Sequence, residues 1–207
     1  MLRDTLRMAG KRATPRERLI DAALELAAER PWAAVSLADV AAKAGLGLAE
    51  FHEHAPSKAH LVGAWLRRID AAVLAGPAAS AEDPARDRLF EVLMRRIEAI
   101  RPHKAAVASI VDGLSKDPVQ ALCGWPALTR SMSWMLEAAG IDASGLKGAL
   151  RARGLALVWL ATLRAFLSDE GEDLGSTMAA LDKALTRAEP FGRALDGPAR
   201  AASQNAG

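Results

Sequence analysis

The sequence predicts an all-α protein, and three features of the 207-residue chain indicate this fold class. Alanine, the strongest helix former, occurs 46 times, whereas the strand-favouring residues Val, Ile and Thr total 21. Apolar residues recur at helical spacing along most of the chain. Capping residues and prolines divide that pattern into segments. We therefore expect about nine helices, short ones near the N-terminus and longer ones in a larger bundle.

Two capping boxes mark the first two helices. The motif TPRE at residues 14–17 places a proline at the first helical position, and this helix is expected to run to about Glu29. The motif SLAD at 36–39 opens a shorter helix, and Gly45 follows where a left-handed residue ends a helix. A third short helix fits residues 48–54. Short helices with a glycine turn between the second and third are typical of a helix-turn-helix unit.

The rest of the chain predicts longer helices that can bury an apolar core. Their boundaries follow from serine, aspartate and proline signals between the apolar stripes. The expected helices cover residues 57–75, 83–100, 107–114, 117–139 with an interruption near Gly124 and Pro126, 144–168, and 174–188 with its end at Pro190.

Positive charge is concentrated at the N-terminus. Residues 1–18 contain six basic and two acidic side chains, whereas residues 19–70 contain five basic and seven acidic ones. The chain as a whole has a net charge of only +2. A short basic arm ahead of a folded domain can contact phosphates or enter a minor groove, but it can also be a solvated tail. Both interpretations stay open.

The sequence favours a cytoplasmic protein without membrane insertion. Arg3, Asp4 and Arg7 leave no apolar signal-peptide core at the N-terminus. The longest near-continuous apolar stretch, residues 155–167, is too short to span a bilayer. The single cysteine, Cys123, excludes an internal disulfide framework.

Residues 16–61 resemble the TetR family of bacterial transcription regulators. The matching segments are RERLIDAALELAAE, VSLADVAAKAGL and HAPSKAHL, in that order. The resemblance implies a homodimer that binds operator DNA through an N-terminal helix-turn-helix unit. It also implies a larger helical domain for ligand binding and dimerisation. We expect a basic arm and helix-turn-helix unit at residues 1–60, the ligand-binding and dimerisation domain at 61–195, and a disordered polar tail at 196–207.

The resemblance assigns the DNA contacts to the second and third helices. The chemistry of the third helix is mixed, because residues 45–56 contain no Lys or Arg, whereas Glu50 and Glu53 are acidic and repel phosphates. His52 stands where the family usually has a tyrosine, and Gly47 where it has a capping serine. The unit either binds DNA or is a former DNA-binding unit kept as a packed subdomain. The residues expected at DNA are Ser36, Lys43, Gly47, Leu48, Glu50, His52, His54 and Lys58.

The C-terminal half is also similar to the ubiquinone-biosynthesis accessory lipid-binding proteins, which share the TetR fold. The similar segments are RLFEVLMRRIEAIRPHKAA, MLEAAGIDASGLKGALRARGLALVWLATLRAFLSDEGED and TMAALDKAL. This similarity implies an isoprenoid-binding accessory protein that does not bind DNA, which is the alternative function. Both resemblances imply an apolar small-molecule or lipid ligand. Methionines and tryptophans of the bundle either line its cavity or pack the core. The residues expected at the ligand are Trp125, Met132, Trp134, Met135, Trp159 and His103.

The apolar run at residues 155–167 predicts burial on all sides of its helix. The TetR resemblance implies that this helix and the last one pair with a second subunit in a four-helix interface. The alternative is a central helix of a monomeric bundle. The residues expected at the dimer interface are Leu155, Trp159, Thr162, Leu163, Phe166, Met178, Leu181 and Leu185.

No motif in the sequence indicates catalysis, a metal or a cofactor. Glu50 lies one turn before His54, but His52 and His54 are two residues apart and therefore do not share a helical face. The GLG sequence at 45–47 lacks the lysine and the preceding strand of a phosphate-binding loop. We therefore expect a non-enzymatic protein without a metal site or cofactor.

Overall fold

A computed structural model describes residues 13–196, and this part of the chain contains nine α-helices and no strand. The prediction of an all-α fold with about nine helices is confirmed. The basic residues before 13 and the expected disordered tail after 196 lie outside the described residues. Short 3₁₀ turns cover Trp32–Ala34 and Arg101–His103. The helices are α1 (Pro15–Glu29), α2 (Leu37–Ala44), α3 (Leu48–His54), α4 (Lys58–Leu74), α5 (Ala85–Ile100), α6 (Lys104–Lys116), α7 (Pro118–Ala138), α8 (Gly145–Ser168) and α9 (Gly175–Asp196).

Both predicted capping boxes form. The Thr14 hydroxyl accepts from the Glu17 N–H at 3.2 Å, and the Glu17 carboxylate accepts from the Thr14 N–H at 2.6 Å. At α2, Ser36 and Asp39 bond reciprocally at 3.0 and 2.8 Å, and the hydrogen bonds from Ser36 lower the pKa of Asp39. Gly45 ends α2 with φ +66°, a conformation that favours glycine. The helix-turn-helix plan is therefore set by local sequence.

Two prolines lie inside helices, where the sequence predicted an interruption and an end. Pro126 is within α7, and Pro190 is within α9, which continues to Asp196. Each proline leaves the carbonyl four residues earlier without its helical donor. Those carbonyls belong to Leu122 and Thr186, which are exposed, so water can replace the missing donor. The predicted interruption near Gly124 and Pro126 and the predicted end at Pro190 were wrong for this reason.

The helices enclose one continuous apolar core, and α4 connects its two parts. This helix begins in the helix-turn-helix unit and packs against α5 and α7 of the bundle. The boundary expected between residues 60 and 61 falls in its first turn. The other main packing pairs are α8 with α9, α7 with α8, and α1 with α6.

Polar contacts fasten the turn between α1 and α2 to the bundle. The Ser109 hydroxyl, on α6, donates to the Arg30 carbonyl at 3.1 Å and accepts from the Trp32 N–H at 2.9 Å. Lys58 Nζ, on α4, donates to the Trp32 carbonyl at 2.6 Å. The Trp32 side chain is buried. A movement of α6 or α4 would therefore act on the helix-turn-helix unit through this turn.

Candidate functional site

Helix α3 is exposed along most of its length and anchored by one buried side chain. Phe51 is 2% exposed and belongs to the apolar core. Gly47, before the first residue, provides no side-chain cap. The outward surface is apolar at Leu48, which is 59% exposed, and at Ala49, and otherwise polar. Among the polar residues of α3, His52, Glu53 and His54 are exposed and Glu50 is half-buried.

Ser36, the N-cap of α2, and Lys43, within α2, were both expected at DNA. Both are exposed, and both have partners within the chain. The Ser36 hydroxyl accepts from the Asp39 N–H in the capping box. Lys43 Nζ lies 2.9 Å from a Glu29 oxygen and 3.1 Å from a Glu25 oxygen. Both contacts raise the pKa of Lys43, and the contact with Glu29 has the larger effect. Exposed ion pairs of this kind contribute only about 0–1 kcal/mol each. Lys43 can therefore exchange its glutamates for a phosphate at little cost.

Lys58 is held more firmly than Lys43. Its Nζ bonds to the Trp32 carbonyl and lies 4.7 Å from the centroid of the Trp32 ring. Burial lowers the pKa of Lys58. In this position the side chain stabilises the turn after α1, so a role at DNA would require it to leave a partly buried site.

The helix-turn-helix unit has no surplus of positive charge over its described residues. Residues 13–60 contain five basic and seven acidic side chains. The basic surplus of the N-terminal region belongs to residues 1–12, with four basic side chains and one acidic side chain. Attraction to phosphates would therefore depend on that segment.

A buried ion pair occupies the interior of the bundle. The Arg96 guanidinium, on α5, is fully buried and lies 2.5 Å from an Asp70 carboxylate oxygen on α4. The Ser131 hydroxyl, on α7, donates to the same oxygen at 2.5 Å. Burial lowers the pKa of Arg96, and the Asp70 charge opposes that shift. This cluster joins three helices through charge-assisted hydrogen bonds.

Two of the residues expected at the ligand surround this ion pair. The Trp159 ring centroid lies 4.9 Å from the Arg96 guanidinium carbon, and Met135 Sδ lies 3.7 Å from Arg96 Nη1. The other four expected residues are dispersed. On α7, Met132 is fully buried, Trp125 is half-buried and Trp134 is 51% exposed. His103 is half-buried in the second 3₁₀ turn. Its pKa is lowered mainly by burial and also by the positive charge of Arg68.

A cavity of about 500 Å³ lies elsewhere in the bundle, between the start of α5, the α7–α8 turn, α8 and the end of α9. None of the six residues expected at the ligand lines it. Leu155 and Leu185, which were expected at the dimer interface, are part of its wall. The sequence gives no signal for this cavity, because its lining residues come from four distant segments. Its other apolar lining residues include Leu89, Leu136, Ile141, Val158, Ala188 and Phe191.

Seven of the eight residues expected at the dimer interface are buried within the single chain. Met178 is the exception, with 37% of its surface exposed. Sequence reasoning missed two large apolar side chains that the middle of α8 exposes, Leu157 at 63% and Leu160 at 41%. They belong to the apolar run at 155–167, whose uniform composition does not identify the outward face. The buried residues are Leu155, Trp159, Thr162, Leu163, Phe166, Leu181 and Leu185.

Membrane spans and metal clusters are both absent from the described part of the chain. Over residues 13–196, no helix is both long and apolar enough to cross a membrane. In the same residues, no group of three or more His, Cys, Asp or Glu side chains is placed to hold a metal ion.

The chain is similar to bacterial transcription regulators in sequence and in fold. Residues 19–65 match the family model of bacterial regulatory proteins of the tetR family. A TetR transcriptional regulator from Nitrosomonas europaea is 26% identical, with a TM-score of 0.64 over 84% of this chain and 97% of that chain. A search of curated proteins finds no match.

Two further solved structures share the fold at lower identity. A TetR transcriptional regulator from Rhodococcus sp. RHA1 is 23% identical, with a TM-score of 0.64 over 84% of this chain and 94% of that chain. A tetR-family regulator from Streptomyces coelicolor is 18% identical, with a TM-score of 0.54 over 87% and 82%. The resemblance to the TetR family is confirmed: the N-terminal unit is a TetR-type domain, and the chain has the fold of TetR-family regulators.

Proposed function

We propose that the protein is a transcription regulator that binds operator DNA as a homodimer and is controlled by a small ligand with a large apolar part. The observation that carries this proposal is the intact helix-turn-helix geometry. Helix α2 is capped at both ends, the turn at Gly45 is left-handed, and α3 is exposed and anchored by Phe51. An α-helix with its side chains is about 10–12 Å across, so α3 can enter a major groove about 12 Å wide.

In this proposal α3 reads bases and other parts of the chain bind phosphates. Leu48 can contact a thymine methyl group, and His52 can donate to a base edge. The carboxylate of Glu53 can accept from cytosine N4, so an acidic residue here is compatible with direct readout. Lys43 and the basic segment at 1–12 would neutralise phosphates, which position the protein but carry no sequence information.

The basic segment gives a direct prediction. Replacing Arg3, Arg7, Lys11 and Arg12 by glutamine should weaken DNA binding. The plot of log K against log salt should become shallower by about 0.9 for each phosphate that the variant no longer neutralises. Fluorescence anisotropy with a labelled duplex, between about 50 and 200 mM salt, measures both quantities.

The matched control removes the same number of cations from exposed positions outside the helix-turn-helix unit: Arg67, Lys116, Arg130 and Lys147. This control should leave the salt dependence close to that of the wild type. An equal change in both variants would show that total charge, rather than the N-terminal segment, determines DNA affinity.

Dimerisation is proposed through the outer faces of α8 and α9. Leu157, Leu160 and Met178 are large apolar side chains that these helices expose, and Leu146 at the start of α8 and Phe191 near the end of α9 are exposed as well. When a second copy of the chain covers a large exposed apolar side chain, apolar surface is removed from water, and this stabilises the dimer. A twofold arrangement would place two copies of α3 on successive turns of the DNA, one for each half-site.

Ligand control follows from linkage between the two parts of the chain. A ligand changes DNA affinity only if it binds the DNA-incompetent arrangement with a different affinity from the competent one. Two connections support such coupling. Helix α4 runs from the helix-turn-helix unit into the bundle, and Ser109 on α6 bonds to both sides of the turn after α1.

A second candidate function is a lipid-binding accessory protein that has lost DNA binding. It is favoured by the excess of acidic over basic side chains in residues 13–60 and by the absence of Lys and Arg from the α3 sequence. In that case the fold would serve the bundle cavity alone, and the N-terminal unit would be a packed subdomain.

Selection of genomic fragments distinguishes the two functions. The purified protein is incubated with sheared DNA of its own host at fixed salt, and bound fragments are sequenced over several rounds. The regulator proposal predicts enrichment of a partly palindromic motif with two half-sites. Enrichment without a shared motif, or no enrichment, would contradict it and leave the accessory protein as the better interpretation.

A further inference from the structure

The cavity between α5, α8 and α9 has a floor and a rim of different chemistry. Its volume of about 500 Å³ is within the usual range of small-molecule sites, about 300–1,000 Å³. The floor is formed by apolar side chains, among them Leu136, Leu155 and Val158, which are at most 6% exposed. Phe191, 47% exposed, adds an aromatic wall from the end of α9. An apolar chain would be covered here on several sides.

The rim carries more positive than negative charge. Arg86, Arg88, Arg151 and Arg193 line the cavity, against two carboxylates, Asp142 and Glu189. Arg193 forms an exposed ion pair with Glu189 at 3.4 Å. Asp142 offers its main-chain carbonyl to Arg151 at 2.9 Å. The lining residues have a formal charge of +2, but Asp87 and Asp182 pair with Arg86, so a preference for an anion depends on a particular arginine at the edge of the apolar floor.

Among the four arginines that line the cavity, Arg88 has a buried nitrogen without a hydrogen-bond partner in the described residues. Its Nη1 donates to the Ala81 carbonyl at 3.3 Å, a neutral acceptor. Its Nε is buried and has no hydrogen-bond partner among residues 13–196. A buried donor of this kind costs free energy unless an acceptor reaches it. The guanidinium fork presents parallel donors that match a carboxylate. By contrast, Arg86 is already bound to Asp87 and Asp182.

We propose that this cavity binds an amphipathic anion, with an alkyl or similar apolar body on the Leu136–Leu155–Val158 floor and a carboxylate-type head at Arg88. This ligand would be the one that controls the proposed regulator, so the inference rests on the proposed function to that extent. It differs from the sequence-based expectation, which placed an apolar ligand against Met135 and Trp159. That region holds the buried Arg96–Asp70 pair, and neither residue of the pair lines the cavity.

The test measures binding directly, without DNA, so that its failure is separate from a failure of operator binding. Octanoate, 1-octanol and octyltrimethylammonium are titrated into the full-length protein by isothermal calorimetry at constant ionic strength. We expect one octanoate per protomer, bound about tenfold more tightly than octanol. The cationic probe should bind more weakly than octanol. Equal affinity for octanoate and octanol, or no octanoate binding, would overturn the proposal.

Two variants locate the site. Arg88→Gln should reduce octanoate affinity about tenfold and leave octanol unchanged. Its control is Arg95→Gln, because Arg95 lies on the same helix and also donates to a loop carbonyl, that of Pro77 at 2.8 Å, but does not line the cavity. An equal loss of affinity in both variants would mean that the effect is not specific to the site.

The second variant fills the cavity. A Cβ at Gly154 would lie 3.5 Å from the Phe191 ring, an ordinary contact, so a larger side chain at this position extends into the cavity. Gly154→Leu should abolish octanoate binding, whereas Gly124→Leu, on α7 outside the cavity with open space around it, should not. Wild-type octanoate affinity in a folded Gly154→Leu protein would place the site elsewhere.

Discussion

Replacement of Asp70 by alanine is expected to lower the free energy of unfolding by about 3–5 kcal/mol, because it leaves the Arg96 charge buried without a counter-ion. Arg96 is 0% exposed, and its Nη1 bonds to Asp70. The same change removes the acceptor of the Ser131 hydroxyl. In a chain of this size, each kcal/mol shifts the melting temperature by about 2–4 °C. Urea unfolding and calorimetry both measure the decrease in stability.

The chain contains a matched control for this substitution. Asp21 on α1 pairs with Arg68 on α4, but both side chains are more than 40% exposed. Exposed pairs contribute about 0–1 kcal/mol, so Asp21→Ala should have a small effect. The two variants remove the same chemical group from an arginine partner and differ mainly in burial.

A double variant separates pairing from packing. Asp70→Leu combined with Arg96→Met removes both charges, and it should recover most of the stability that Asp70→Ala removes. If Asp70→Ala were no more destabilising than Asp21→Ala, the buried pair would not organise the bundle interior. If the double variant were less stable than Asp70→Ala, the shape of the pair would matter more than its charge.

Substitution of glutamate for both Leu157 and Leu160 is expected to convert the proposed dimer into monomers at micromolar concentration. Burial of a leucine contributes about 1.5–3 kcal/mol, and a twofold interface contains each residue twice. The two substitutions would therefore replace four apolar side chains of the interface by four like charges. Sedimentation velocity over a concentration series measures the change. Leu122→Glu on α7, at a leucine that is 73% exposed, is the control and should leave the dimer intact.

The outcome also bears on DNA binding. A monomer that keeps its fold has one helix-turn-helix unit, so it should lose cooperative binding to a two-half-site operator while retaining weak, salt-dependent binding. A wild-type protein that sediments as a monomer, or a double variant that stays dimeric, would contradict the proposed α8–α9 interface.

The sequence predicted most where the cause is local. The capping boxes at Thr14 and Ser36 and the left-handed turn at Gly45 depend on neighbouring residues, and the structure confirms them. The prolines led to wrong helix boundaries, because the effect of a proline on a helix depends on whether water can reach the carbonyl that it leaves without a donor. Pro126 and Pro190 stay within helices, since the carbonyls that they leave without a donor belong to exposed residues.

The functional surfaces depended on contacts between distant segments, which one sequence does not specify. Leu157 and Leu155 belong to the same apolar run, yet the first is 63% exposed and the second lines the cavity. Lys43 and Lys58 look alike as phosphate contacts, but tertiary neighbours give them different environments, two glutamates and the buried Trp32 turn. The cavity depends on the α9 segment beyond Pro190, where the helix was expected to end.

The central claim of the proposed function is that α3 binds DNA in a sequence-specific way. The decisive measurement compares two affinities of the wild-type protein at one salt concentration. One is for a duplex with the motif from genomic selection, and the other is for a scrambled duplex of equal length and composition. We predict a ratio of about a thousandfold or more. A variant with His52→Ala and Glu53→Ala should lose most of that ratio and keep its affinity for the scrambled duplex. Equal wild-type affinity for the two duplexes would contradict the proposal.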